Sequence, residues 1–266
     1  KTSSWRRISI ATWKSANDPT VYWHIDLDVT KALTYLEKTN QDSPEKITIT
    51  HLGIKAIALV LKEHPDLNGI IRWNKIYLRK TVDIFTQVAI GSSSPQQKAD
   101  LSGAKIESCD EKSLLEIAQS LKGKSSSIRE GKDKHFKSTT KTLDIIPSFF
   151  LPYMLRFIEF LNYDLNLDLS FLGLPYDPFG SAMVTSVGML KVPSGYAPLF
   201  PLSRGPLIIC LGEIVKKPWV VDDAVVARPI LDIRATFDHR FMDGLTASRM
   251  IKQFKEILEN PAESLG

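Results

Sequence analysis

The sequence predicts an α/β fold in which strands and helices alternate, in one large domain or two fused halves. Apolar and polar residues alternate from Leu231 to Phe237, which is the period of a half-buried strand. Residues 48–63 are apolar nearly all round, as in a buried helix, and apolar residues recur at helical spacing between Gly244 and Leu258. At 266 residues, 43% of them hydrophobic, the chain is long enough to bury a sizeable core.

The N-terminal part alternates between strand and helix periods. His24 lies on the polar face of its strand, and no second His or Cys stands at metal-ligand spacing, so we expect it to be solvated or hydrogen-bonded. Pro65 ends the buried helix. The predicted elements are, in order, a strand at 21–29, a helix capped by Thr30, a loop at 40–47, the buried helix at 48–63, a hairpin from Ile70 to Tyr77 that turns at Trp73-Asn74-Lys75, and a strand from Val82 to Ile90.

The middle of the chain is polar and basic. A short polar strand is predicted at 104–107, and Ser113 and Glu116 have the spacing of a capping box at the start of the next helix. The tract 122–141 is rich in Lys, Ser and Gly, which predicts a mobile, solvated face. The alternative is a basic surface for the phosphates of an anionic cofactor or for a membrane.

Residues 145–161 are intensely apolar. Pro152, Arg156 and Glu159 interrupt this stretch, so it is too short and too broken for a transmembrane helix. We expect an amphipathic helix that packs against a neighbouring subunit. A membrane-surface helix and a lid over a hydrophobic acyl substrate remain as alternatives.

The C-terminal part reads as strands followed by one helix. Gly188 to Arg204 contains several prolines and is therefore a loop. The other predictions are a strand from Ser181 to Val187, a buried strand from Leu207 to Leu211, and a hairpin from Ile214 to Val226 that turns at Asp222-Asp223.

The octet Phe237-Asp238-His239-Arg240-Phe241-Met242-Asp243-Gly244 stands where the last strand stops and the last helix begins. Such an edge holds a side chain rigidly and leaves its ring accessible. Asp243 is expected at or near the helix N-cap. On spacing alone, the aspartate reads as a cap and the histidine as a structural residue.

Composition narrows the function classes. The 34 basic and 30 acidic residues give a net charge of +4, which does not indicate a nucleic-acid binder but suits an anionic cofactor. The two cysteines, Cys109 and Cys210, suggest no disulfide framework, so we expect a reducing compartment, the cytoplasm or an organelle matrix. The N-terminus has no signal-peptide pattern.

The octet, with the helix after it, closely resembles the motif of the acyltransferase core of 2-oxo acid dehydrogenase complexes, whose fold family includes chloramphenicol acetyltransferase. The resemblance covers most of the chain apart from roughly 92–108 and 137–177. It implies a chloramphenicol acetyltransferase-like mixed-sheet sandwich with helices, its active site at a subunit interface. It also implies one catalytic domain at 1–266, with an apolar insertion at 137–177 and without lipoyl or subunit-binding domains. Four further blocks carry it: Pro19–Thr30, Gly53–Asn68, Val184–Gly188 and Pro206–Gly212.

The resemblance implies transfer of an acyl group between coenzyme A and a thiol such as a dihydrolipoyl arm. His239 would be the general base, because a neutral imidazole can take the thiol proton as attack begins. The hydroxyl of Thr185, with Ser186 as the fallback, would stabilise the oxyanion, and Arg7 would pair with Asp243.

The family also sets the expected partners. Its active site lies between subunits of a homotrimer, and trimers build higher assemblies. Acyl-coenzyme A is then the substrate, a lipoyl-bearing protein is a partner, and no metal is needed. The resemblance identifies no coenzyme-binding residues.

Two other functions remain open. The chain could be a non-catalytic trimeric scaffold, which the unusual segments 91–108 and 145–174 favour. It could also be a transferase for a hydrophobic, non-lipoyl acceptor at a membrane surface, bound through 145–161. A serine hydrolase is not expected, because no Gly-x-Ser-x-Gly elbow occurs.

Overall fold

Most of the strands belong to one mixed sheet. The computed structural model describes residues 18–90, 100–129 and 147–265, with side chains for 18–87, 103–127 and 147–265. The strands are β1 (Thr20–Asp28), β2 (Gly69–Arg72), β3 (Lys75–Leu78), β4 (Ile84–Ile90), β5 (Asp100–Ile106), β6 (Ala182–Ser186), β7 (Leu207–Val221) and β8 (Ala224–Asp238). Within the described ranges, six of them form a sheet in the order β1-β8-β7-β6-β4-β5, and β2 and β3 form a separate hairpin.

The sheet is mixed because β6 runs parallel to both of its neighbours, β4 and β7. The pairs β1–β8, β7–β8 and β4–β5 are antiparallel. Parallel neighbours require a crossover connection, and the chain between β4 and β6 supplies it. The predicted α/β class with a mixed sheet is therefore confirmed.

The helices bury the apolar face of the sheet. They are α1 (Thr30–Gln41), α2 (Ile49–Glu63), α3 (Leu114–Arg129), α4 (Leu151–Glu159), α5 (Gly244–Glu259) and α6 (Pro261–Leu265). The alternating apolar residues of β8, from Leu231 to Phe237, are buried in one core with α2 and α5. Each fully buried Leu or Ile contributes about 1.5–3 kcal/mol. As its composition predicted, α2 is buried on nearly all sides.

Both predicted hairpin turns are confirmed. Trp73 and Asn74 connect β2 to β3, and Asp222 and Asp223 connect β7 to β8. All four have positive φ, between 49° and 61°. Two consecutive left-handed residues match the right-handed twist of the flanking strands.

Several element boundaries differ from the prediction, among them the end of the strand predicted at 207–211, which continues to Val221 as β7. Two further differences have a local cause. Thr30 is the first residue of α1 rather than its cap, because Asp28 Oδ1 accepts hydrogen bonds from both the backbone N–H and the hydroxyl of Thr30. The polar strand predicted at 104–107 is longer and begins at Asp100, since it pairs with β4 along its whole length. The Ser113–Glu116 capping box is present as predicted.

The apolar stretch forms α4 and a π-helical turn, Phe160–Asp164. No residue of α4 is buried, and Phe149, Phe150, Tyr153 and Phe157 are 58–69% exposed. Among the described residues, no helix has the length and apolarity needed to cross a membrane. The described part of the chain does not cover this face.

The C-terminal end of α4 is nevertheless tied to the fold by charge. Arg204, from the loop between β6 and β7, donates to Glu159 across 2.7 Å and to Asp164 across 2.8 Å. A second link joins Asp177 to Arg79, at 2.7 Å, and to the buried Tyr163 hydroxyl. Burial raises the pKa of Tyr163, and so does the Asp177 carboxylate, so the phenol stays protonated and donates.

Candidate active site

His239 is the first residue after β8, at the edge where β8 meets the start of β1. Its backbone N–H donates to the Pro19 carbonyl across 2.8 Å, and Asp238 pairs with Thr20. The preceding residue is buried, whereas His239 is exposed. The strand end therefore fixes the backbone of His239 and leaves its imidazole accessible, as the sequence predicted.

The residue before His239 and the residue after it form an ion pair that restricts the loop. Asp238 is buried and accepts from the backbone N–H of Arg240 at 2.9 Å. The Arg240 guanidinium forms a bidentate pair with the same carboxylate, with Nη2–Oδ2 at 2.6 Å and Nε–Oδ1 at 3.0 Å. Such a planar pair restricts both side chains. Sequence reasoning missed this pair, although the i, i+2 spacing of the opposite charges was its signal.

Asp243 is the N-cap of α5, as predicted. Its carboxylate accepts from the backbone N–H of Thr246 across 2.8 Å, and Gly244 opens the helix. The hydrogen bonds from Thr246 lower the pKa of Asp243 below its ordinary value, and the nearby His239 lowers it further. The carboxylate is exposed and remains charged near neutral pH.

A shallow pocket of about 390 Å³ opens beside the imidazole, lined by Asp18, Pro19, Thr20, Val21, His239 and Arg240. The Thr20 hydroxyl and N–H both donate to Asp18 Oδ1, and these bonds lower the pKa of Asp18. A carboxylate and an imidazole therefore share one pocket. Asp18 was not among the predicted site residues; the Asp-x-Thr spacing typical of a local turn was its only signal.

Thr185 lies on β6 and is 9% exposed. Its hydroxyl donates to Gln87 Oε1, on the neighbouring β4, across 3.0 Å. Val184 belongs to the hydrophobic core, so strand alternation places Thr185 on the face away from the helices and Ser186 on the face toward them. The two hydroxyls therefore lie on opposite faces of the sheet, and Thr185 is buried whereas Ser186 is half-buried.

A single chain does not bring His239 and Thr185 together. Thr185 pairs with Cys210, and Cys210 pairs with Arg234, five positions before His239. At about 3.3 Å per residue and 4.8 Å per strand, the two side chains are separated by roughly 19 Å. One thioester carbon cannot contact both. Arg7, the fourth predicted site residue, lies outside the described residues.

Neither cysteine offers a nucleophile. Cys109 and Cys210 are both buried. Burial raises the pKa of Cys109 to about 12 and also raises that of Cys210. Within the described ranges, no group of three or more His, Cys, Asp or Glu side chains is placed to hold a metal ion. In the described part of the chain, the bases that line the pocket are thus the imidazole of His239 and the carboxylate of Asp18.

The sequence matches a protein family over most of its length. Residues 2–145 and 179–266 match the family model of the 2-oxoacid dehydrogenases acyltransferase (catalytic domain). The chain belongs to this acyltransferase family. The two matched ranges leave 146–178 between them, close to the insertion predicted at 137–177.

Individual curated proteins that resemble this chain are also acyltransferase components. A curated relative is the lipoamide acyltransferase component of the branched-chain alpha-keto acid dehydrogenase complex of Bacillus subtilis, with 26% identity over 91% of this chain and 47% of that protein. The chain spans about half the length of the curated relatives it matches.

Solved structures confirm the predicted fold. A dihydrolipoamide acetyltransferase of Azotobacter vinelandii matches with a TM-score of 0.66 and 20% identity, over 94% of this chain and 85% of that one. The role of one serine, one histidine and one asparagine in its catalytic mechanism has been investigated, and the asparagine follows the histidine by four positions. A chloramphenicol acetyltransferase matches with a TM-score of 0.50 and 12% identity, over 91% of this chain and 89% of that one.

Proposed function

We propose that this domain moves an acyl group between coenzyme A and a thiol such as a dihydrolipoyl arm, with His239 as the general base. One observation carries the proposal: the His239 imidazole is exposed beside a pocket while its backbone is held by Pro19. Family membership, and the four-residue spacing between His239 and Asp243 that the Azotobacter enzyme has between its histidine and asparagine, support it.

The chemistry is a thioester exchange. The imidazole of His239 takes the S–H proton as the sulfur attacks the acyl carbonyl, which forms a tetrahedral intermediate with a negative oxygen. The bond to the leaving sulfur then breaks, and the imidazolium returns the proton to that thiolate. The charged Asp243 carboxylate favours the imidazolium while it exists. We further propose that Arg7 pairs with Asp243.

Thr185 would donate its hydroxyl proton to the oxyanion. Loss of one such donor typically costs about 3 kcal/mol of transition-state stabilisation. Because His239 and Thr185 of one chain are roughly 19 Å apart, the complete site would combine His239 of one protomer with Thr185 of the next. We therefore propose a homotrimer, with a lipoyl-bearing protein as its partner.

The activity is tested by thiol release from acetyl- and longer acyl-coenzyme A with dihydrolipoamide as acceptor. His239→Ala should lower kcat by about 10²- to 10⁴-fold. His24→Ala is the matched control, because His24 is also exposed but lies on β1, outside the pocket. No turnover of the wild-type protein with any donor would instead favour the non-catalytic scaffold.

The shared site is tested by mixing. His239→Ala and Thr185→Val should each turn over about 100-fold more slowly than the wild type, or slower still. When the two variants are unfolded and refolded together, mixed oligomers contain some sites with an intact His239 and an intact Thr185, so turnover should rise well above that of either variant. If the refolded mixture stays as slow as its components, the site does not combine two protomers.

A second candidate places the acceptor at a membrane surface. The exposed aromatic side chains of Phe150, Tyr153 and Phe157 favour it, because such side chains settle at a lipid headgroup boundary. Flotation with anionic liposomes tests it, with Phe150→Ser and Phe157→Ser as the comparison. Wild-type protein that does not float removes this candidate.

A further inference from the structure

The hydroxyl of Thr185 has a specific partner. Parallel pairing of β4 with β6 sets Thr86 opposite Val184, and the next position along both strands brings Gln87 beside Thr185. The Thr185 hydroxyl donates to Gln87 Oε1 across 3.0 Å. Thr185 is buried, whereas Gln87 is exposed. The amide of Gln87 therefore stands on the solvent side of the hydroxyl.

A threonine hydroxyl has one proton to donate and two lone pairs that accept. While that proton is directed at the Gln87 carbonyl, it is not available to an oxyanion. A half-turn of the terminal amide exchanges Oε1 for Nε2, and this terminal torsion is broad and nearly two-fold. Nε2 then donates a hydrogen bond to Thr185 Oγ1. The O–H of Thr185 is thereby free to donate a hydrogen bond to the substrate.

We propose that Gln87 is a positioning residue whose amide determines whether the Thr185 hydroxyl proton reaches the oxyanion. This inference rests on the proposed acyl transfer. A hydrogen bond from Nε2 also polarises the hydroxyl, because successive hydrogen bonds strengthen one another. The exposed position of Gln87 lets its amide turn without disturbing the core.

The side chains that the strand register places beside Thr185, on β7 and β8, do not bind its hydroxyl. Arg234, two strands away on β8, forms a bidentate pair with Asp232 at 2.7 and 2.8 Å. Cys210, between them on β7, is a buried thiol. Among the described residues, Gln87 is thus the hydrogen-bond partner of the Thr185 hydroxyl.

Two variants of nearly the same size separate the possible roles. In Gln87→Glu the carboxylate only accepts, so it holds the Thr185 proton, and kcat should fall by about 100-fold, as after loss of an oxyanion donor. KM should stay within about threefold, because the ground state makes no use of this proton. Gln87→Met removes the amide and frees the hydroxyl, so its loss should be about tenfold or less.

Three comparisons make the test decisive. Gln119→Glu adds the same charge at an exposed position on α3 and should leave kcat unchanged. In a Thr185→Val background, Gln87→Glu should cause no further loss, since the hydroxyl it acts through is gone. Urea unfolding should give both Gln87 variants the wild-type stability, because the side chain is exposed.

The outcomes distinguish this inference from the function beneath it. A Gln87→Glu variant within threefold of wild-type kcat, or equally large losses with and without the Thr185 hydroxyl, would overturn the role of Gln87 while the dependence on His239 stands. A wild-type protein without turnover, or a fully active His239→Ala variant, would overturn both.

Discussion

Arg204 Nε donates to Glu159 Oε1 across 2.7 Å, although 45 positions separate the two residues in sequence. The same guanidinium reaches Asp164 and the backbone carbonyl of Ile71. No residue of α4 is fully buried, and its apolar side chains are at most half-buried, so apolar packing alone holds this helix weakly. The charged contacts of Arg204 hold its C-terminal end in addition.

Replacing Arg204 should loosen the segment 147–177. Arg204→Met leaves two partly buried carboxylates without their donor, so we expect a loss of about 2 kcal/mol in the free energy of unfolding. Limited proteolysis should cut within 147–177 sooner. Arg156→Met is the control, because Arg156 is on the same helix but exposed. Equal cleavage rates for both variants would remove this role from Arg204.

Asp243 combines a structural and a chemical role, and two substitutions separate them. Asp243→Ala removes the N-cap of α5 and should cost about 1 kcal/mol of stability. Asp243→Asn keeps a good cap but loses the charge, so stability should be retained while kcat falls roughly tenfold, an effect of about 1.4 kcal/mol. Full kcat for Asp243→Asn would reduce Asp243 to a helix cap.

His51 should make stability depend on pH. It is buried at the start of α2, its Nδ1 accepts from the Thr48 N–H at 3.0 Å, and burial lowers its pKa to about 4. The folded pKa lies below the ordinary 6.5, so between these values the unfolded chain binds more protons. This contribution is complete above pH 6.5 and is lost as pH falls toward 4.

The full loss is about 3 kcal/mol, since one pKa unit corresponds to 1.36 kcal/mol. His51→Gln keeps a capping-box residue but does not titrate, so its urea-unfolding curves should vary less between pH 7 and pH 4. His24→Gln, at an exposed histidine, should preserve the wild-type pH dependence. If His51→Gln follows the wild-type pH dependence, His51 is not its source.

Two glycines should respond to alanine with opposite signs. A Cβ on Gly103 would lie 1.8 Å from the Phe85 ring, which is packed against Phe179. Gly103→Ala should therefore destabilise the protein by about 1–3 kcal/mol. A Cβ on Gly123, in α3, meets no atom within 4 Å, so Gly123→Ala should stabilise by about 0.5–1 kcal/mol. Thermal melts of both variants check the pair.

Much of the fold could be predicted because its signals are local. The alternation from Leu231 to Phe237 arises within one strand, and the apolar run of α2 arises within one helix. Each pattern depends only on how that element packs against the core. The turn at Asp222-Asp223 also follows from nearby residues. The order β1-β8-β7-β6-β4-β5 does not, because strand neighbours are chosen by contacts distant in sequence.

The features of the candidate site likewise fall into those that local sequence predicts and those that depend on distant contacts. The exposure of His239 and the cap at Asp243 follow from a strand that ends just before a helix begins. Gln87 could not be predicted, since its contact with Thr185 depends on the register of two parallel strands 98 positions apart. The separation of Thr185 from His239 could likewise be estimated only from the pairing of three strands.

The pairing of β1 with β8 has a consequence for biosynthesis. Thr20 lies opposite Asp238, so the backbone that supports His239 comes from opposite ends of the described chain. During synthesis on the ribosome, β1 is made first and can pair only after β8 has been made. A polypeptide that lacks either strand would therefore hold its histidine in no defined position, and the base would be in place only after β8 has been synthesised and paired with β1.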